Sequence, residues 1–304
     1  MDWNDLKHFL ALAREGSARG AGARLGVSHS TVLRRVEALE ARLGTQLFDR
    51  HRDGYLLTEP GQRMLEHAEK VEIDMASLER AMAGQDQRLE GPVSLTCCDH
   101  WVSALLLEDL RGFCEQFPAI ELRVAADSRP FDLSKREADI AVRVLGKGSQ
   151  PPEHLLGTLL VPVVIASYVG TEHASALDPD LGGQGARWVG YDDQRVQQRL
   201  VAEGPHPALP IWGELCSLGL MVQAIRQGFG LGMLPTYVGD REAGLQRLQR
   251  PQLRHMGDIW LLSHPDLRAN ARLKAARACV AEALRGREAL FRGEAVQSCT
   301  SGSR

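Results

Sequence analysis

"LGVSHSTVLRRVEALE", residues 25–40, decides how the first part of this chain is read. Gly26 is suited to end one helix in the left-handed conformation, and Ser28 to cap the next with its side-chain oxygen. Val27 and Val32 then occupy the two positions of a hydrophobic staple. Val32, Val36, Leu39 and Leu43 recur at steps of four, three and four, which predicts one buried stripe on a helix over 29–43. Ser30, Arg34 and Glu37 point the opposite way, with His29 and Leu33 on one flank and Thr31 and Arg35 on the other. Short hydroxyl side chains let a helix approach another surface closely. A guanidinium fork can grip a guanine edge or a phosphate with two bonds. A solvated amphipathic helix with a polar cap would show the same pattern, so this helix alone does not decide.

Its neighbours do. "LKHFLALARE" (6–15) places Leu6, Phe9, Leu10 and Ala13 on one helical face, and "SARGAGARLG" (17–26) supplies a short helix with Ser17 as its cap. Segments 18–25 and 29–43, joined by a three-residue turn, have the helix-turn-helix arrangement. "LFDRHRDGYLLT" (47–58) reads as two short strands around an Asp53-Gly54 turn, a wing that offers Arg50 and Arg52 to phosphates or to the minor groove. Charge agrees locally. Between Arg14 and Arg52 eight arginines face four acids, although the 304-residue chain carries a net charge of −3.

Residues 1–60 resemble the winged helix-turn-helix domain of the LysR-type transcriptional regulators. "FLALAREGS", "LGVSHSTVLRRVEALEARLGTQLFDR" and "LLTEPGQ" follow that family's order and spacing, and the resemblance extends over nearly the whole chain except its tail. Two positions depart from the family pattern. Gly22 stands where alanine is usual, and with Gly20 it lies in a short helix where each glycine costs roughly 0.5–1 kcal/mol. Leu33 stands where serine is frequent, which bears on one expected phosphate contact. The DNA-contacting set is therefore Ser28, His29, Ser30, Thr31, Arg34, Arg35, Arg50 and Arg52.

Thr58 can cap the following helix, with Pro60 in its first turn. Met64, Ala68, Val71, Met75, Leu78 and Met82 then recur at steps of four and three, a seam for lengthwise packing against a second helix. The resemblance assigns this helix to dimerisation and favours a dimer of dimers. A polar, glycine-bearing stretch ending in Pro92 reads as a hinge.

Beyond it, apolar strands alternate with helices. Strands are expected at 93–97, 120–126, 138–144, 160–167, 187–191, 231–235 and 258–264, and helices at 101–117, 217–228 and 268–291. That order predicts mostly parallel sheets covered on both faces. The resemblance makes this a two-lobed, periplasmic-binding-protein-like α/β effector domain. Its domains would be a winged helix-turn-helix at 1–58, a linker helix at 59–83, a hinge at 84–91, lobe I at 92–161 and 266–292, lobe II at 162–265, and a disordered tail at 293–304. Open α/β sheets bind ligands beyond the carboxyl ends of their strands. The small-molecule effector is accordingly expected among His100, Trp101, Ser103, Asp127, Ser128 and Arg143 of lobe I, and Ser167, Tyr191, Cys216 and Ser217 of lobe II. Taken singly, each also fits an ordinary loop or cap role, and Asp127 and Arg143 also fit a simple ion pair.

The six cysteines form no CxxC or Cys/His cluster, so neither a metal, a cofactor nor a disulfide framework is expected, and adjacent Cys97 and Cys98 read as packing residues. No GxSxG, Walker or HExxH motif is present, and "GFGLGMLP" (228–235) follows a helix and leads into a strand, the reverse of the dinucleotide-binding order. An enzyme is thereby disfavoured. A plain solute-binding protein would have no use for residues 1–82. A DNA-binding protein without an effector remains the rival reading. The expected setting is the cytoplasm without membrane contact, and the expected partners are promoter DNA, a second copy of the chain and, by resemblance, RNA polymerase.

Overall fold

Asp2 and Asp5 open the first helix with a reciprocal cap: the Asp5 backbone N–H donates to Asp2 and the Asp2 N–H to Asp5. The computed structural model describes residues 2–51, 54–84, 86–126, 138–191 and 193–294. It divides into two compact units that meet in sequence at Met82 and Ala83.

Unit 1 runs α1 (Trp3–Glu15), α2 (Ala18–Leu25), α3 (His29–Leu43), β1 (Phe48–His51), β2 (Gly54–Leu57) and α4 (Glu59–Gly84). Ser17 and Ser28 cap α2 and α3, and Gly16, Gly26 and Gly44 end the first three helices with positive φ. Leu6, Phe9, Leu10, Ala21, Val32, Val36, Leu39, Leu47, Phe48 and Ala68 make one buried core. The α3 stripe is one residue shorter than expected. Leu43 is 45% exposed, because the helix ends at Gly44 before its last apolar residue reaches the core. Val27 is exposed too, so the expected staple is not closed.

Gly22 proves to be a packing requirement. A Cβ there would lie 2.8 Å from the Val27 carbonyl oxygen and 3.2 Å from the His29 nitrogen. Glycine lets α2 come close to the turn that enters α3, which offsets its cost in helix propensity. Gly54 plays a similar part in the wing. It has φ +142°, and a Cβ would collide with the Gly16 carbonyl, to whose oxygen the Tyr55 N–H donates at 2.8 Å. The wing root is thus tied to the end of α1.

Unit 2 contains β3 (Gly91–Cys97), α5 (His100–Gln116), β4 (Ile120–Ala126), β5 (Ile140–Gly146), β6 (Leu156–Gly170), α6 (Ala174–Leu177), β7 (Trp188–Tyr191), α7 (Gln194–Ala202), β8 (Ile211–Leu215), α8 (Leu218–Arg226), β9 (Gly232–Pro235), α9 (Thr236–Gly239), β10 (Leu245–Arg247), β11 (Arg254–Ser263), α10 (Ala271–Arg285) and α11 (Glu288–Arg292). The main sheet has the order β10-β6-β11-β5-β3-β4, with β9 also on β6, and β7 and β8 form a separate parallel pair. This sheet corrects the expectation of mostly parallel pairing. Only β3 runs parallel to its neighbours β4 and β5, whereas β11 with β5 and β6, and β6 with β9 and β10, are antiparallel. A strand buried on both faces gives an unbroken apolar run whichever way its neighbour points. Periodicity therefore carried no information about direction.

Two long strands, β6 and β11, carry the chain between the lobes. Pro162 lies inside β6 opposite Asp258, beside a register shift at His255 and Gly257. A proline cannot donate to the ladder, and a bulge accommodates it. α11 packs on α9 and β6, with Phe291 stacked on Tyr237 at 4.7 Å and Thr236 Oγ1 donating to the Leu290 carbonyl at 2.9 Å.

Candidate nucleic-acid interface and interlobe site

The face of α3 opposite its buried stripe is open. Ser28, His29, Ser30 and Arg34 are exposed and Thr31 is half-buried. Ser28 Oγ accepts the Thr31 N–H at 3.2 Å and lies 2.8 Å from Thr31 Oγ1 and 2.9 Å from Ser30 Oγ. The cap therefore gathers three hydroxyls at the leading end of the helix. Glu40 secures the other end, its Oε1 accepting the Leu47 N–H at 2.6 Å and the Phe48 N–H at 3.1 Å. That link between helix and wing root was not visible in the sequence, where Glu40 reads as one more surface charge.

The arginines are sorted. Arg14 pairs with Glu72 at 2.6 Å, Arg24 with Glu15 at 3.2 Å, and both Arg35 and Arg42 with Asp5. Arg19, Arg34 and Arg50 make no ion pair among the described residues and are exposed. Arg35 is thus partly committed inward, at 3.6 Å from a carboxylate whose side chain is only 3% exposed. The hydrogen bond from Arg42 holds the Asp5 carboxyl below its ordinary value, against the opposing effect of burial. Arg52, with Asp53, lies outside the described residues. What remains outward-facing without an ion pair among the described residues is Arg34 on the serine-rich helix, Arg19 on α2 and, on the wing, Arg50.

The seam on α4 is divided between two faces. Met64 and Ala68 pack on the unit 1 core, and Met75 lines a groove with Trp3, Leu10 and Leu25. Val71, Leu78 and Met82 are exposed, the last two at 57% and 65%. The heptad positions thus serve two purposes, and the notion of one uniform seam is corrected. Its inner edge is claimed by the core of its own unit.

In unit 2 the start of α5 is fastened to lobe II. Trp101 Nε1 donates to Glu242 Oε1 at 2.6 Å, and Arg226 donates to the other oxygen of Glu242 at 2.6 Å. Tyr237 OH donates to Asp99 Oδ2 at 2.7 Å, while Asp99 Oδ1 caps α5 by accepting the Val102 N–H. Burial, then the nearby Asp99 carboxylate, pushes the Tyr237 hydroxyl far above its ordinary value, so it stays a donor. His100 stacks on Trp101 at 4.3 Å and is exposed. A Cβ on Gly219 would lie 4.0 Å from both Trp101 and Ser217, which places the start of α8 beside the indole.

His100, Trp101 and Ser217 are therefore brought together, with exposed Cys216 next in the chain. Ser103 is not part of this group. It is buried and its Oγ donates to the Asp99 carbonyl one turn back. Ser167 is buried within β6, between β9 and the carbonyl bond to Leu248. Both were selected for lying near strand ends, and both face inward. Arg143 donates to Thr96 Oγ1 at 2.9 Å and to the Val142 carbonyl, and Tyr191 is half-buried against the core with its N–H on Gln197. Asp127 and Ser128 lie outside the described residues. Tyr237 lies in one-turn α9 and Glu242 in the turn that follows it, and neither segment gives a periodic signal in the sequence.

Cys97 is fully buried, and burial pushes its thiol up to about 11; burial also pushes the Cys98 thiol well above its ordinary value. Cys98 falls just beyond β3 and packs against the same core as Cys97. Among the described residues no group of three His, Cys, Asp or Glu side chains could hold a metal ion, and no helix is long and apolar enough to cross a membrane.

Comparison with known proteins matches residues 3–62 to the bacterial regulatory helix-turn-helix proteins of the lysR family, and residues 86–285 to the LysR substrate binding domain. The chain belongs to the LysR family. A helix-turn-helix transcriptional regulator of Xanthomonas campestris is 33% identical over 190 residues, 59% of this chain and 52% of that protein. One from Bacillus subtilis is 31% identical over 44% of this chain and 45% of its own length. The chain thus spans about half the length of these relatives. The PgrR regulator of Escherichia coli is 24% identical over 76% of this chain and 80% of its own. Among solved structures, the virulence activator AphB of Vibrio cholerae has a TM-score of 0.58 at 17% identity, covering 92% of this chain and 98% of that one. A full-length OxyR variant of Pseudomonas aeruginosa has 0.55 at 19%, covering 94% and 95%. At these identities the likeness establishes the fold alone, a winged helix-turn-helix followed by a two-lobed α/β domain.

Proposed function

We propose that this LysR-family chain is a sequence-specific transcriptional regulator whose α3 and wing read promoter DNA and whose unit 2 responds to a small-molecule effector. The observation that carries the reading is the open leading face of α3, where the cap hydroxyls and Arg34, without an ion pair among the described residues, stand over the buried Val32-Val36-Leu39 stripe. Val71, Leu78 and Met82 of α4 provide an apolar strip for a second copy, consistent with a homodimer and, from it, a dimer of dimers. Two reading heads related by a two-fold axis call for an interrupted inverted repeat with half-sites about one helical turn apart. The working place is the cytoplasm, with RNA polymerase as the partner downstream of promoter binding. No cofactor is required by this scheme.

Selection from a random-sequence duplex library tests the first part. The expected result is enrichment of an inverted repeat, bound with strong salt dependence. Failure to enrich any sequence would overturn it. For assembly, Val71→Glu with Leu78→Glu puts two charges into the exposed strip, and sedimentation should show a smaller species. An unchanged mass would move the dimer elsewhere. For the sensor, metabolites are screened for a shift of both Trp101-dependent fluorescence and DNA affinity, since an effector acts only through unequal affinity for two states.

A further inference from the structure

α1 lends one buried carboxylate to α3, and we propose that Asp5 is a positioning residue for DNA reading. By holding Arg35 and Arg42 it fixes the roll of α3 about its own axis and keeps Arg35 off the phosphates. This rests on the DNA-reading role proposed above for α3.

The Asp5 side chain is 3% exposed and accepts the Asp2 N–H at 3.2 Å; Arg42 donates to the same Oδ2, and Arg35 Nη1 stands 3.6 Å from Oδ1. Arg35 and Arg42 are seven residues apart, which is two turns along one face of the helix. Val32, Val36 and Leu39 hold α3 to the core by burial, which is not directional, and Glu40 ties its later turns to the wing root. The Arg42 hydrogen bond to the carboxylate is directional, and Arg35 adds an ion pair at 3.6 Å to the other oxygen. Arg34, the adjacent residue, is turned away by about 100° and makes no ion pair among the described residues. With a helix radius of about 5–6 Å including side chains, a roll of about 20° displaces a reading side chain by about 2 Å. A productive polar constellation tolerates only about 0.5 Å. The neighbouring arginines thus have separate tasks: Arg34 reads, Arg35 aligns.

The test uses the full chain and two duplex probes, a site that the wild type has selected from a random library and a scrambled duplex of equal length. Asp5→Asn keeps the shape and the acceptor for the Asp2 N–H but removes the charge that holds the arginines. Specific affinity should fall about tenfold relative to non-specific affinity, the discrimination of roughly one base pair. The salt slope on scrambled DNA should steepen by about 0.9 per reading head, as a freed Arg35 takes a phosphate. Adding Arg35→Gln should cancel that steepening, while Arg35→Gln alone should leave the slope unchanged. Arg42→Gln removes only the second arm and should lower discrimination without steepening the slope, which keeps the test open if Asp5→Asn folds poorly. Equal loss on both probes with no change of slope would mean a merely structural role and overturn the proposal. So would a slope reduced by Arg35→Gln alone, which would make Arg35 a phosphate contact. If the wild type enriches no site, DNA reading itself fails and the alignment role falls with it.

Discussion

The reading head and the interlobe face of unit 2 use the same polar side chains to opposite ends. In the head, buried Asp5 and the acids Glu72 and Glu15 take up the inward arginines, while the cap hydroxyls, Arg34 and Arg50 stay open. At the interlobe face the polar groups satisfy one another: Trp101 and Arg226 share Glu242, and Tyr237 and Asp99 pair. A surface left open costs little stability and is ready for a partner. A surface closed on itself contributes stability, and a ligand entering there must replace its bonds. The open face needs no rearrangement before a partner docks, whereas the interlobe face has a resting arrangement that an entering ligand would have to undo.

The largest effect expected from a single change lies on the closed side. Tyr237→Phe removes the hydroxyl donor from Asp99 and should cost about 1.5–3 kcal/mol, as for a hydrogen bond to a charged group. Calorimetry should place that loss in unit 2 and leave head-to-DNA affinity unaffected. A loss below about 0.5 kcal/mol would remove the closed half of the comparison.

Gly22→Ala comes next. Helix propensity predicts a gain, yet the Cβ would meet the backbone of Val27 at 2.8 Å, so a loss of about 1–3 kcal/mol is expected in the melting of unit 1. A stabilised variant would contradict the close approach of α2 to the turn. Trp101→Phe should cost less, about 0.5–1.5 kcal/mol, because Glu242 keeps Arg226. Tryptophan quenching lost in this variant would also mark the indole as the optical reporter.

The smallest expected effect is in pH. The Asp5 carboxyl lies below its ordinary value because Arg42 bonds to it, so its contribution is complete above the unfolded carboxylate range. It is lost as pH falls through the lower, folded value. The stability gap between wild type and Asp5→Asn should therefore stay constant from neutral pH down to about 5 and close only in strong acid. A gap that changes near neutrality would implicate another group.

The helices of the head were legible because caps and apolar spacing are local. Ser17, Ser28, Gly26 and the Val32-Val36-Leu39 stripe each announce themselves within a few residues. The partners of Arg42 and of Trp101 were not legible. Asp5 lies 37 residues from Arg42, and Glu242 lies 141 from Trp101, distances at which no periodicity survives. Seven strands of unit 2 were found, but β8 and β10 were not, and β6 runs to Gly170 where 167 was expected. Strand direction was not legible, because apolar runs buried on both faces look alike. Proximity to a strand end also failed as a guide to exposure, as Ser103 and Ser167 show by facing inward.

Arg34→Ala tests the central claim most directly. Binding to the library-selected site and to scrambled duplex is measured beside the thermal unfolding of the same protein. Because Arg34 is exposed with no ion pair among the described residues, unfolding should shift by less than about 0.5 kcal/mol. Specific affinity should fall by about 1–3 kcal/mol, and non-specific affinity by less. Unchanged preference for the selected site, with Arg34 absent, would contradict the reading of α3 as the sequence-recognising element.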